Sequence, residues 1–142
     1  SGDVFDKSVS SIETVLFAEE CINLLPVPII SILGNHDLKG NVLAGYETSS
    51  IHILNRLCDK LILKPYDTFM ELDNIRLYFN HYGNDNFIIE NIDNTKTNII
   101  ITHSSIVDSE ELFECINVND IVTNADLIFT GHIHQKFNTD KV

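Results

Sequence analysis

Four polar clusters hold four of the six histidines in this chain, together with Asp3, Asp6, Asn35 and Asp37. They are Gly2-Asp3-Val4-Phe5-Asp6, Gly34-Asn35-His36-Asp37, His103, and Gly131-His132-Ile133-His134. Carboxylate and amide oxygens from Asp3 and Asn35, joined by imidazole nitrogens from His103, His132 and His134, suit hard-to-borderline divalent cations. Divided between two ions with Asp3 bridging them, such a set would hold a hydroxide and polarise a phosphoryl oxygen. Thiolates take no part. Cys21, Cys58 and Cys115 are odd in number, widely spaced and without a CxxC pair, which points away from a disulfide framework and toward a reducing, cytoplasmic setting.

Each residue also has a bland reading. An Asp after Gly is commonly a turn residue, Asn tolerates the left-handed conformation that Asn35 would need there, and a strand-end histidine is often satisfied by backbone. Two histidines one residue apart point to opposite sides of an extended segment unless a tight loop aims both inward. The combination is harder to dismiss. A fixed Gly-Asn-His-Asp tetrapeptide arises by chance on the order of once in a thousand chains of this length, and three of the clusters directly follow an apolar run.

Those runs define the elements that must position the clusters. Ser10 with Glu13 forms an S-x-x-E capping pattern, opening a helix with Ile12, Val15, Leu16, Ile22 and Leu25 as apolar positions and a stop before Pro26. Residues 27–33 read as a buried strand ended by Gly34. A second helix is expected over 50–58, with Ile51, Leu54 and Leu57 on one face. Residues 61–63, 68–72 and 75–79 read as a three-strand meander whose last two strands join through Asp73-Asn74. A strand over 98–102, a short helix over 110–116 and a strand over 126–130 follow. The expectation is one domain, 1–142, of layered α/β architecture, with a mixed sheet flanked by helices and chemistry gathered past the strand ends.

The chain has 142 residues and a formal charge of −12, which argues against a surface that holds nucleic acid electrostatically by itself. Cations bound among the carboxylates would offset part of it. The apolar stretch 24–33 contains Pro26 and Pro28 and is too short to span a bilayer; with no signal-peptide pattern, no membrane association is expected.

Together, GDVFD, GNHD, His103 within ITHSS, and GHIH resemble the ordered motifs of the calcineurin-like metallophosphoesterase superfamily, from Gly2 to His134. The resemblance implies a two-metal site in which Asp3 bridges the ions. Asn35, His103 and His132 would complete one ion, and His134 would ligate the other. It makes His36 the general acid or transition-state partner on the leaving oxygen, oriented by Asp37, with Asp6 supporting the site from behind. GDVFD followed by GNHD is most similar to DNA repair exonucleases of the SbcD type and their phage relatives. Protein phosphatases of the superfamily carry an arginine-containing second motif and GNHE, whereas Lys7 follows Asp6 here. Phosphodiester hydrolysis in DNA, an SMC-like ATPase partner and two divalent ions, Mn²⁺ foremost with Fe²⁺, Zn²⁺ or Mg²⁺ as alternatives, are what this implies. A phosphodiesterase or phosphatase acting on small nucleotides or phosphoproteins, and a non-catalytic scaffold with an incomplete metal site, are the competing expectations.

The superfamily's opening D-x-H motif is absent. His52 and His81 are preceded two positions earlier by Ser50 and Phe79, so neither supplies it; His52 is expected on a helix surface and His81 in a loop after a strand. The resemblance thus implies a fragment lacking about one βα unit, ~30 residues, with any basic DNA-binding surface in the missing portions or a partner. The ion at His134 would then be weakly held, and the chain alone weakly active or inactive.

Overall fold

The computed structural model describes residues 2–107 and 115–132. In chain order the helices and strands are α1 (Ile12–Asn23), β1 (Ile29–Ile32), α2 (Ser50–Leu57), β2 (Leu61–Lys64), β3 (Thr68–Leu72), β4 (Ile75–Phe79), β5 (Thr97–Thr102), β6 (Ile106–Val107), β7 (Ile116–Asn117) and β8 (Leu127–Thr130). The class is the expected one, a mixed α/β fold with parallel and antiparallel pairing. A four-stranded sheet runs β3-β4-β5-β8, antiparallel between β3 and β4 and parallel thereafter, while β1-β2 and β6-β7 form separate parallel pairs. Among the described residues no helix is long and apolar enough to cross a membrane.

Several boundaries depart from the expected ones for local reasons. The N-cap of α1 is Ser11, whose Oγ accepts from Thr14 N–H at 3.3 Å. Ser10 is instead tied down by its backbone N–H, which donates to Ser50 Oγ at 2.7 Å. Strand β1 starts at Ile29 because Pro26 and Pro28 have no N–H to give a ladder. The meander does not form. β2 pairs with β1, Ile29 opposite Leu61, so β1, α2 and β2 make a βαβ unit, and only the β3–β4 hairpin belongs to the other sheet. The expected 110–116 helix falls mostly outside the described residues, and its last residue, Ile116, lies on β7. His52 is half-buried, its ring edge-on to Tyr46 at 4.9 Å.

Two apolar cores follow from this division. Val15 and Ile22 of α1, Ile51 and Leu54 of α2, and Leu61 and Leu63 of β2 close on Phe5 and Leu33; Ile12 and Leu16, the other two expected apolar positions that lie within α1, are exposed. Ile100 and Ile128, on neighbouring parallel strands, anchor the second core with Ile106, Val118 and Ile121. Parallel pairing then gathers strand ends. Thr102 lies opposite Thr130, and Phe79 opposite Ile101, so the residues following β4, β5 and β8 emerge at one end of the sheet. The Asp73-Asn74 turn, preceding β4, lies at the other.

Candidate metal centre

His103 follows β5 and His132 follows β8 after Gly131, whose N–H bonds Thr102 carbonyl at 3.1 Å. The Gly34–Asp37 turn arrives from β1 on the other core and carries Asn35. Asp3 and His132 both have positive φ, 55° and 77°, a conformation that costs a non-glycine residue on the order of 1–3 kcal/mol and persists where the surroundings demand it. Here it turns both side chains into one cluster. Close approach of the loops requires glycine at 34: a Cβ there would meet Asp3 Oδ1 at 2.1 Å.

Four side chains meet. His103 Nε2 lies 3.0 Å from Asp3 Oδ2, 3.2 Å from Asn35 Oδ1 and 3.1 Å from His132 Nδ1, and that Nδ1 is 2.9 Å from Asn35 Oδ1. His103 is almost fully buried and the other three are partly so. Two of these four atoms are oxygens that only accept, and each ring nitrogen carries at most one proton. The contacts outnumber the hydrogens that could fill them. A cation at their focus would take one lone pair from each of the four atoms, and donors held about 2.1 Å from one octahedral ion are themselves about 3.0 Å apart. The donor set therefore fits a divalent metal in both chemistry and spacing. His134, the remaining expected ligand, lies outside the described residues.

His36 stands beside this cluster and adds no donor atom to it. Its backbone N–H donates to Asp3 Oδ1 at 2.9 Å, while its ring Nδ1 sits 2.8 Å from the Asp6 carbonyl. The ring is exposed in an open cleft of ≈ 450 Å³ lined with Asp3, Phe5, Asp6 and His132. The Asp6 carbonyl, then the Asp3 charge, hold its pKa above the ordinary histidine value; the first cause survives when a cation offsets the second.

Asp37 does not orient His36, contrary to the expectation. Successive residues of a tight turn point apart, and the Asp37 carboxylate faces inward. Its Oδ2 accepts from Asp3 and Gly34 N–H at 2.8 and 3.0 Å, and its Oδ1 from Val4 and Phe5 N–H at 3.2 and 3.4 Å. Burial pushes its pKa up against the opposing pull of the Gly34 and Phe5 amides. Asp37 thus ties the loop carrying Asp3 to the loop carrying Asn35, and Asp6 orients His36 through backbone. Asp37→Ala would strand buried amides and should cost roughly 2–3 kcal/mol of stability, measurable by urea unfolding. A cost below about 0.5 kcal/mol would show that the loops need no such tie.

One neighbour escaped the sequence reading. Tyr82, in the turn after β4, packs on the first core and places its ring 6.0 Å from that of His103 and 6.3 Å from that of His132. The only signal was its position past a strand end, followed by Gly83.

Compared with known protein families, the chain matches the model described as calcineurin-like phosphoesterase over residues 1–136. No curated protein matched it.

Proposed function

Since the chain belongs to the calcineurin-like phosphoesterase family, whose members hydrolyse phosphoesters with divalent metals, we propose that it is a phosphodiesterase acting on DNA. The observation that carries the chemistry is the convergence of Asp3, Asn35, His103 and His132 around one focus, with His36 in the adjoining cleft. Mn²⁺ is the ion that the motif resemblance favours, and mixed oxygen and imidazole donors without thiolate also admit Fe²⁺, Zn²⁺ or Mg²⁺.

Asp3, Asn35, His103 and His132 would hold one ion, and His134 is the residue expected to serve a second. Divalent ions bound there supply Lewis-acid polarisation of a phosphoryl oxygen and a nucleophile from water near neutral pH. The chain's own part is positional and protonic. Asp37 holds the two ligand-bearing loops together. His36, kept toward its protonated form by the Asp6 carbonyl, gives its ring proton to the departing ester oxygen from the open cleft.

DNA is favoured by the motif subtype, GDVFD followed by GNHD, and a nuclease of this kind could work beside an SMC-like ATPase. The charge of −12 favours a second reading, a small nucleotide diester. Parallel assays of the Mn²⁺-loaded chain on bis-p-nitrophenyl phosphate, p-nitrophenyl phosphate and linear double-stranded DNA separate them. The expected result is weak turnover, in keeping with the absent D-x-H motif, with a diester preference of roughly tenfold or more and DNA among the substrates cleaved. Diester turnover without DNA cleavage would move the assignment to small nucleotides, and a monoester preference would overturn the phosphodiesterase reading.

A further inference from the structure

A single carboxylate organises the turn that carries Tyr82. Asp67, just before β3, accepts from the His81 backbone N–H at 2.8 Å and from Asn84 Nδ2 at 2.7 Å, and it contacts His81 Nδ1 at 2.6 Å. The turn is closed by Asn84 N–H donating to the His81 carbonyl at 3.0 Å, and Gly83 takes the positive φ, 86°, that it requires. Burial raises the Asp67 pKa, but the His81 and Asn84 donors outweigh it and hold the group lower than usual. Asp67 therefore acts as an ionised acceptor.

Tyr82 projects from the middle of this turn. Its ring meets His103 at 66° and His132 at 48°, and those two imidazoles stand 4.9 Å apart at 67°. The rotation of an imidazole about its last side-chain bond is broad and roughly two-fold, so covalent geometry alone does not aim its nitrogen. The edge-on contacts of His103 with Tyr82 and with His132 do, since aromatic pairs favour edge-to-face arrangements over free rotation, and the tilted Tyr82 ring flanks His132 as well.

We propose that Asp67 and Tyr82 form one positioning unit for the metal centre: Asp67 fixes the turn, and Tyr82 fixes the rotation of His103 and His132. The proposal rests on the reading of those histidines as metal ligands. Groups that orient metal-binding histidines typically affect metal affinity by about 10–100-fold. If Asp67 acts only through Tyr82, the two effects are not additive.

The test is Co²⁺ titration of the full chain, followed by metal analysis and by the visible absorption band, which reports the ligand arrangement independently of turnover. Tyr82→Leu and Asp67→Ala should each weaken Co²⁺ binding about tenfold and alter the band, Tyr82→Phe should leave both unchanged, and the double variant should bind no worse than the weaker single. Should Asp67→Ala fail to fold, Asp67→Asn keeps the size and an acceptor oxygen, and its coupling to Tyr82→Leu is read the same way. Unaltered affinity and band in the single variants, or losses that multiply in the double, would overturn the positioning unit while leaving the metal site standing. No Co²⁺ binding by the unaltered chain would overturn the metal reading, and this proposal with it.

Discussion

Replacing His103 with alanine should lower Mn²⁺ affinity on the order of a hundredfold or more, with turnover falling alongside. His103 Nε2 is the hub of the cluster, within 3.0–3.2 Å of the other three donor atoms. The side chain is also nearly fully buried, so little water can reach the position it vacates and replace the nitrogen. Asp3, Asn35 and His132 would remain on their separate loops, with His132 Nδ1 2.9 Å from Asn35 Oδ1 but without the nitrogen that lies next to all three. Metal binding and stability are linked: ligand bound only by the folded state raises stability as RT ln(1 + [L]/Kd). The unaltered chain should therefore melt higher as Mn²⁺ is added, and His103→Ala should lose that response over the same range. Equal melting shifts and equal metal content in the two proteins would show that the four side chains are a hydrogen-bonded cluster and not a metal centre.

Much of this centre was legible because parallel sheets advertise their ends. Residues 99–101 and 127–129 are short continuous apolar runs within their strands, and a polar residue just past such a strand has one place to go, the end of the sheet. Strand pairing was less legible. Leu61 and Leu63 alternate buried with intermediate neighbours, and that period is the same whether the strand joins a meander or crosses over to β1. The choice is made by α2, which returns the chain beside β1. The capping error at Ser10 was of the same kind: two adjacent serines offer equal chemistry, and Ser50, remote in sequence, claims one of them.

The roles of neighbours within a motif were the least legible. Asn35, His36 and Asp37 are consecutive, yet they face the donor cluster, the open cleft and the buried amides of two loops respectively. A tetrapeptide cannot show that division, because it depends on the turn's backbone and on what arrives from residues 3–6. Asp6 illustrates the converse. Its identity suggests a carboxylate function, whereas the contact it makes with His36 is through its carbonyl, which any residue possesses.

That division sets up the sharpest test of the proposed chemistry. His36→Ala should reduce turnover of DNA about a hundredfold or more, the usual contribution of a positioned proton donor, while metal content stays nearly unchanged. The ring contacts the Asp6 carbonyl rather than any of the four donor atoms, and the backbone N–H that holds Asp3 Oδ1 at 2.9 Å is retained by alanine. The Asp3 carboxylate should therefore keep its orientation when the ring is gone. Dependence on the leaving group distinguishes proton donation from mere substrate contact. An alkoxide leaving from DNA is strongly basic and needs the proton, whereas p-nitrophenolate leaving from bis-p-nitrophenyl phosphate needs it far less. The loss should accordingly be large in kcat for DNA and at least tenfold smaller for the nitrophenyl diester. Equal losses on both substrates would move His36 from proton donor to a group that binds the phosphate, and metal loss matching that of His103→Ala would place its ring among the ligands after all.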